Sequence, residues 1–439
     1  MNLSERAGAG PTTDRRGYLR AVGGVGAVGL AGCGGRGEER RGTVTGTDGT
    51  TVLELVDVAG SRSKDHYQRV VDELNASSGP TVELEFTEIP YNSMRQQLLT
   101  QAGGGDPPDI AAIDQIWLGE FIDAGALLSL DGVAADIDFD DYLDALAAPV
   151  QDDGSVYGFP ISTDVRGMYW NKAQFEAAGL DPESPPTTWD ELVRVAGELH
   201  DPPETFGAAY LVKGGRWIVD LFGAGGDVLD TDYETPRFQK QPGVDAATYL
   251  DRLHNEATVT PPEPLYENAA RVAREFLEGT YAINVVEGSW LDYYWRNLGN
   301  STASMPEQFG FASTPTRSGE PMTMSGGFTW AGFQGTDNPK LVRSFLRIAA
   351  GRPFQRELAI ETGDIPTRES LLEVPDIWDT ILYSDTVKSL LQRSRTRPVR
   401  NWTAVAKSLN PALQRVAFDQ AEPAAALDKA AEQVRDRLG

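Results

Sequence analysis

The sequence predicts an α/β protein of two lobes, each a mainly parallel sheet flanked by helices, joined by crossing hinge segments. Apolar runs near residues 52–57, 82–86 and 110–113 alternate with helical patterns at 64–75 and 93–101. This β-α-β-α-β order is typical of a mainly parallel sheet with ligand-facing loops at the carboxyl ends of the strands. The length of 439 residues exceeds what one compact core supports, so we expect two or three domains.

A further observation is the segment 156–172, which we interpret as a crossing between the lobes. Pro160 fixes its own φ and pushes Phe159 towards extended geometry, as a hinge requires. A short polar stretch with Asp164 and Arg166 follows, and then an apolar extended run over residues 167–170, after which Asn171 begins a predicted helix. A second crossing is predicted at 312–316, where a plain β-turn-β unit within one domain is the alternative.

The net charge excludes one class of partner. Sixty-five acidic residues against 39 basic ones give a formal charge of −26. Such a surface repels nucleic acid and anionic lipid, so no nucleic-acid partner is expected. Dispersed carboxylates at this density are typical of proteins that stay soluble in concentrated salt, where charges are screened over short distances. The composition therefore indicates a halophilic source.

Residues 1–32 are predicted to be an export signal of the twin-arginine type. Arg15 and Arg16 form the arginine pair, and a short Gly-rich apolar run follows them. The sequence Leu-Ala-Gly-Cys that ends at Cys33 resembles a lipoprotein cleavage box, in which the cysteine is lipidated and becomes the first mature residue. Cys33 is the single cysteine, which excludes an intramolecular disulfide. We therefore expect a lipid anchor at Cys33 on the extracellular face of the membrane, and a flexible tether over residues 33–50.

The sequence contains no recognisable enzyme constellation. The three histidines, His66, His200 and His254, lack metal-ligand spacing, and one cysteine does not make a zinc site. A Gly-x-Ser-x-Gly nucleophile elbow is also missing. We therefore predict no catalytic residue, metal or cofactor. Because carboxylates are so numerous, a glycosidase-like enzyme that uses a pair of them is kept as an alternative function.

Several short motifs recur in order along residues 52–438. Together they resemble the extracellular solute-binding proteins of the maltose-binding type, which serve importers of the ATP-binding-cassette (ABC) class. The motifs are Gly-Asp-Pro-Pro-Asp-Ile at 105–110, Gly-Ala-Leu-Leu-Ser-Leu at 125–130, the crossing at 156–172, Pro-Thr-Thr-Trp-Asp-Glu-Leu at 186–192, the strand entry at 276–284, and Asp-Ile-Pro-Thr-Arg at 364–368.

The resemblance implies a periplasmic-binding-protein-like fold and a binding function. Lobe 1 would comprise residues 51–160 and 312–365, and lobe 2 residues 161–311 and 366–439. Such a protein is expected to capture a carbohydrate between its lobes as a monomer and to deliver it to an ABC-type import permease. Glycerol phosphate or another polyol ester is the alternative ligand.

A sugar site needs flat aromatic faces and groups that hydrogen-bond to hydroxyls. Asp164 matches a ligand-contacting acid of the resembled family, and Trp290 matches a sugar-stacking tryptophan, although this chain is one residue longer between Ala282 and Gly288. Trp402 occupies a place where relatives often present an aromatic ring. The other candidates follow predicted strands or the second crossing: Asp57, Arg62, Asp114, Trp117, Gly326 and Gly327. Trp189, by contrast, is predicted to be structural, because it lies within a capping box of Thr188 and Glu191, in a motif that is common in the resembled family.

Overall fold

The computed structural model describes residues 49–438 apart from 59, 78, 80, 232, 263–268, 286–287, 290 and 398–400. The predicted export signal, Cys33 and nearly all of the tether lie outside the described residues. Trp290 also lies outside them.

The described strands and helices reproduce the predicted alternation at the start of the chain. The strands are β1 Thr51–Val58, β2 Val82–Ile89, β3 Ile110–Asp114, β4 Gln151–Asp152, β5 Ser155–Val156, β6 Phe159–Thr163, β7 Met168–Asn171, β8 Phe206–Ala209, β9 Tyr281–Asn284, β10 Phe309–Ala312, β11 Thr323–Ser325, β12 Gly327–Gly332 and β13 Ser394–Thr396. The helices are α1 Lys64–Ala76, α2 Tyr91–Gly104, α3 Gln115–Asp123, α4 Asp131–Ala134, α5 Asp144–Ala147, α6 Lys172–Ala177, α7 Trp189–Glu198, α8 Gly214–Gly223, α9 Gln241–Asp251, α10 Ala269–Leu277, α11 Leu291–Asn297, α12 Met305–Gln308, α13 Pro339–Ala349, α14 Arg352–Thr362, α15 Glu369–Leu372, α16 Pro375–Trp378, α17 Ser384–Leu391, α18 Trp402–Ala417 and α19 Pro423–Leu438.

The sheet of lobe 1 has the strand order β2-β1-β3-β12-β6. Strand β1 pairs in parallel with β2 and β3, whereas β12 runs antiparallel to β3 and β6. Strands β1, β2, β3 and β6 therefore end at one edge of the sheet, and β12 begins there. We call this edge the lobe-1 edge.

The sheet of lobe 2 has the order β10-β7-β9-β8. Strands β8 and β9 are parallel, and β7 runs antiparallel to both β9 and β10. Strands β8, β9 and β10 therefore end, and β7 begins, at a second edge, which we call the lobe-2 edge. A short parallel ribbon of β11 and β13 precedes β12 and α18, respectively.

The two-lobed α/β class is confirmed. In each sheet most strands run in one direction, as predicted, and a single strand, β12 in lobe 1 and β7 in lobe 2, runs antiparallel to the others. The reason lies in the crossings. Strand β6 leaves lobe 1 at the lobe-1 edge and β7 enters lobe 2 at the lobe-2 edge, with only four residues between the two strands. A strand that begins at the edge where its neighbours end must be antiparallel to them. This applies to β7 in lobe 2 and to β12 in lobe 1. Strand β6 also keeps residues 161–163 in the lobe-1 sheet. The segment limits between the lobes stay a prediction.

Each sheet is covered by helices on both faces. In lobe 1, α1, α13 and α14 bury one face around Trp330, and α2 and α3 bury the other around Phe121. In lobe 2, α7, α8, α9, α18 and α19 pack around Trp217, and α10, α11 and α15 to α17 pack around Phe276. Among the described residues, no helix has the length and apolarity that crossing a membrane requires.

Trp189 has the structural role that the sequence predicted. Its indole is 8% exposed and stacks on Tyr249, with ring centroids 4.7 Å apart and planes inclined by 6°. The preceding Thr188 accepts a hydrogen bond from the Glu191 amide at 3.2 Å, and the Glu191 carboxylate accepts one from the Thr188 amide at 3.1 Å. The predicted capping box is therefore confirmed.

We expect Trp189→Ala to lower the free energy of unfolding by about 3–5 kcal/mol, because it removes a large buried ring and leaves a cavity. Trp189→Phe keeps part of the stack on Tyr249 and should cost less. Urea denaturation of the wild type and both variants measures the difference. An alanine variant as stable as the wild type would show that the stack contributes nothing.

Candidate ligand-binding cleft

The lobe-1 edge carries the side chains that follow four strands. Arg62 comes after β1, Tyr91 after β2, Asp114 at the end of β3, and Asp164 directly after β6. The carboxyl ends of parallel strands are where open α/β sheets bind ligands. The sequence selected Asp114, Asp164 and Arg62 but missed Tyr91, although the same rule of position after a strand applies to it.

Asp114 is held in place from two sides. Its Oδ1 accepts a hydrogen bond from the Ile116 amide at 3.1 Å and so caps α3, and its Oδ2 accepts one from the Tyr91 hydroxyl at 2.7 Å. The Tyr91 ring packs on Trp117 with centroids 5.0 Å apart. Trp117 is 7% exposed, whereas Tyr91 is 42% exposed. Tyr91 therefore presents the open aromatic face here, and Trp117 supports it from below.

Asp164 binds the backbone of residues 313–326, which lead from β10 in lobe 2 to β12 in lobe 1 and which the structure identifies as the second crossing. Its Oδ1 accepts a hydrogen bond from the Gly326 amide at 3.1 Å, and Arg166 Nη2 lies 3.5 Å from its Oδ2. A Cβ atom on Gly327 would collide with the carbonyl oxygen of Ser162, so β12 can approach β6 only with glycine at this position. Both predicted glycines therefore bring the two crossings together.

Arg397 approaches the same group from lobe 2, and the sequence prediction missed it. Its Nη2 lies 3.3 Å from the place that a Cβ on Gly326 would occupy, and its Nη1 lies 3.2 Å from the corresponding place at Gly215, in the first turn of α8. Side chains at these glycines would crowd the guanidinium. The Arg397 Nε is buried without a hydrogen-bond partner among the described residues, which do not include 398–400. The basic run before Trp402 was the available signal.

The charges of the two lobes act on each other in this group. Burial raises the pKa of Asp114 above its ordinary value, and the Arg397 guanidinium and the Tyr91 hydrogen bond oppose that rise. The Asp164 carboxylate adds a smaller repulsion in the raising direction. Asp114, Asp164 and Arg397 therefore form one electrostatic group between the lobe-1 edge and lobe 2.

Asp57 and Arg62 form a closed cluster rather than an open binding group. Arg62 donates from Nε to Asp57 Oδ2 at 2.7 Å and from Nη2 to Asp57 Oδ1 at 2.9 Å, and the Tyr67 hydroxyl donates to the same carboxylate. Asp57 is 0% and Arg62 3% exposed. Burial alone would lower the pKa of Arg62, but the charge of Asp57 outweighs it and the pKa is raised. The pair fixes the loop after β1, with Asp364 at 3.5 Å from Arg62 Nη1.

The loop after β1 also contacts lobe 2. A Cβ on Gly60 would collide with the Tyr293 ring in α11, and the Gly60 amide donates to Glu88 Oε1 at 3.0 Å. Helix α11 begins directly after Trp290, so this part of lobe 2 faces the lobe-1 edge. The stacking role of Trp290 stays a prediction, because that residue is outside the described part of the chain.

Trp402 begins α18 and is 6% exposed within the core of lobe 2. The guanidinium of Arg397 lies over its ring, 5.8 Å from the centroid. The structure therefore brings Asp114, Asp164, Gly326 and Trp402 together around Arg397, with Trp117 behind Tyr91. It keeps Asp57 and Arg62 in a separate buried cluster. The described residues contain no group of three or more His, Cys, Asp or Glu side chains that could hold a metal ion.

Comparison with known proteins identifies the family. Over 161 residues the chain is 30% identical to a binding protein of Brucella abortus, covering 34% of this chain and 39% of that relative, so the match spans about two fifths of the relative's length. A diacetylchitobiose binding protein of Streptomyces coelicolor is 24% identical over 81% of this chain and 83% of its own. The crystal structure of a cyclic alpha-maltosyl-1,6-maltose binding protein from Arthrobacter globiformis matches with a TM-score of 0.71 and 26% identity, covering 89% of this chain and 99% of that one. Residues 60–355 match the family described as bacterial extracellular solute-binding protein. With two sheets whose binding edges face each other and a family match over most of its length, the chain belongs to the bacterial extracellular solute-binding proteins.

Proposed function

We propose that this chain captures a carbohydrate between its two lobes and delivers it to an ABC-type import permease, without catalysing a reaction. The observation that carries the proposal is the group of Asp114, Asp164 and Arg397, contributed by both lobes beside the exposed face of Tyr91. Relatives that bind diacetylchitobiose and cyclic alpha-maltosyl-1,6-maltose support a saccharide as the ligand.

The chemistry of this group suits a polyhydroxylated ring. A sugar hydroxyl both donates and accepts hydrogen bonds, and the group offers carboxylate acceptors next to guanidinium donors. The Tyr91 ring provides an apolar face for the C–H surface of the sugar. Because these groups come from both lobes, a ligand that touches all of them favours the closed arrangement.

We further propose that the protein is a lipid-anchored monomer of a halophilic organism, exported by the twin-arginine route. The support is the arginine pair, the cleavage box that ends at Cys33, and the acidic composition. The anchor would keep the binding protein next to its permease on the extracellular face of the membrane.

A thermal-shift screen of mono- and oligosaccharides in molar salt tests the proposed function. A ligand present at 100 times its dissociation constant should add about 2.7 kcal/mol to the free energy of unfolding and raise the melting temperature. A phosphate ester of glycerol and a short peptide serve as comparison ligands. If only these comparison ligands shift the transition, the carbohydrate proposal is wrong.

Truncation of the charged group should weaken binding of the saccharide that the screen identifies. Arg397→Ala and Asp164→Ala each remove hydrogen bonds to a charged partner, worth about 1.5–3 kcal/mol, or roughly ten- to more than a hundredfold in the dissociation constant. The matched control is Arg395→Ala, because Arg395 pairs with Asp227 on the surface of lobe 2. Titration calorimetry measures all three variants. Wild-type affinity in both Arg397→Ala and Asp164→Ala would place the ligand elsewhere.

We expect Cys33→Ser to release the protein into the medium or to leave its leader uncleaved, because the serine hydroxyl cannot take the thioether-linked lipid. The double variant Arg15→Lys, Arg16→Lys should block export. Cell fractionation and mass spectrometry of the mature N-terminus measure both effects. Wild-type protein found in the cytoplasm with residues 1–32 intact would contradict both expectations.

A further inference from the structure

A cavity of about 520 Å³ separates α3 of lobe 1 from the first turns of α18 in lobe 2. Helix α3 lines it with Ile116, Gly119, Glu120 and Asp123, which share one helical face because they lie three, four and seven residues apart. The volume falls within the range of roughly 300–1,000 Å³ that is usual for small-molecule sites. We call this space the α3–α18 cavity.

The α3–α18 cavity adjoins the group around Arg397. Ile116 lines the cavity, and its amide donates the hydrogen bond that holds Asp114. Trp402 lines the opposite side, and its ring lies beneath the Arg397 guanidinium. The cavity and the candidate cleft therefore share parts of their walls and lie next to each other.

The two walls of the cavity differ in charge. Lobe 1 contributes the carboxylates of Glu120 and Asp123, and lobe 2 contributes the cations of Lys407 and Arg437. Glu120 is fixed by Arg95, whose Nε donates to Oε2 at 3.0 Å, and Arg437 Nη1 donates to Ser408 Oγ at 2.7 Å. Asp123 and Lys407 are exposed and make no hydrogen bond or ion pair with another described residue.

This lining selects for a neutral, polyhydroxylated molecule. A ligand with a net charge would be attracted by one wall and repelled by the other, so net charge brings it little advantage here. Hydroxyl groups can donate to the carboxylates of one wall and accept from the cations of the other. An apolar ligand would leave these polar groups without partners and is disfavoured.

We infer that the ligand is an oligosaccharide of at least three rings, with one end held at Asp114 and Arg397 and the other end in the α3–α18 cavity. This inference rests on the proposed function and specifies the length of its ligand. It assigns Ala404, Asp123 and Lys407 to the recognition of the distal ring.

The test is the dissociation constant of two series, glucose to maltotetraose and N-acetylglucosamine to chitotetraose, measured by calorimetry. For the series that binds, we expect the trisaccharide to bind at least about tenfold more tightly than the monosaccharide, because the longer sugar makes more hydrogen bonds and a larger contact with the protein. Ala404→Phe places a ring in the cavity and should remove most of this gain, while monosaccharide affinity stays within about twofold. The matched control is Ala425→Phe, at an exposed position of α19, which should behave as wild type.

The outcomes separate the two proposals. Binding that does not depend on chain length, or a length dependence that Ala404→Phe leaves unchanged, overturns the inference but leaves carbohydrate capture standing. A protein that binds no member of either series contradicts the carbohydrate function itself, and the inference with it.

A second readout does not depend on a substitution. Lys407 is exposed at the cavity and Lys429 is exposed on α19 outside it. A saturating trisaccharide should slow the acetylation of Lys407 by roughly threefold or more, while a saturating monosaccharide should not, because only the longer ligand reaches this amine. Acetylation of Lys429 should not change with either sugar. Equal acetylation of Lys407 in the presence of both sugars contradicts a distal ring in the cavity.

Discussion

The direction of the crossing strands is the constraint on which this structure depends. Strand β6 leaves lobe 1 and β12 enters it at the lobe-1 edge. At the lobe-2 edge, β7 enters lobe 2 and β10 leaves it. The chain therefore passes between the lobes at the place where parallel strands deliver their carboxyl-terminal loops. As a result, Asp164 and Gly326 belong to the crossings and to the candidate site at once. A ligand that contacts them acts directly on the segments about which the lobes move.

Burial decides which charges of this acid-rich chain matter at the lobe-1 edge. The pair of Asp57 and Arg62 is almost completely shielded from water, so dissolved ions screen it far less than exposed pairs such as Arg194 and Glu198. Removing one partner would leave the other charge buried alone, which is strongly destabilising. The loop after β1 can therefore keep its shape in concentrated salt, where the dispersed surface carboxylates lose most of their mutual repulsion.

The sequence predicted the architecture better than the side-chain arrangement. The alternation of apolar runs over residues 52–113 was sufficient to predict β1 to β3. The motif at 186–192 was sufficient to predict the capped start of α7. Both features depend on local sequence patterns. The antiparallel direction of β12 and β7 was not predicted, because the strands with which they pair are far from them in sequence or lie beyond a crossing. Asp114 could be predicted from its place after a strand, whereas Arg397 could not. Its position depends on Gly215 and Gly326, which are distant in sequence and meet it only in the folded chain. The exposure of Tyr91 over Trp117 likewise depends on how α2 and α3 pack together.

The late position of β12 in the chain has a consequence for biosynthesis. Strand β12 lies between β3 and β6 in the lobe-1 sheet, yet it follows all four strands of the lobe-2 sheet in sequence. A nascent chain that stops before residue 327 leaves β3 and β6 with open hydrogen-bonding edges, which invite pairing with other chains. One core of lobe 2 also stays incomplete until late in synthesis, because α18 and α19, which form part of it, lie at the very end of the chain. Each lobe has its own core, and both are completed late: lobe 1 needs α14, which ends at Thr362, and lobe 2 needs α19, which ends at Leu438. Lobe 1 can therefore close its core shortly before lobe 2, and both mature in the last stage of synthesis.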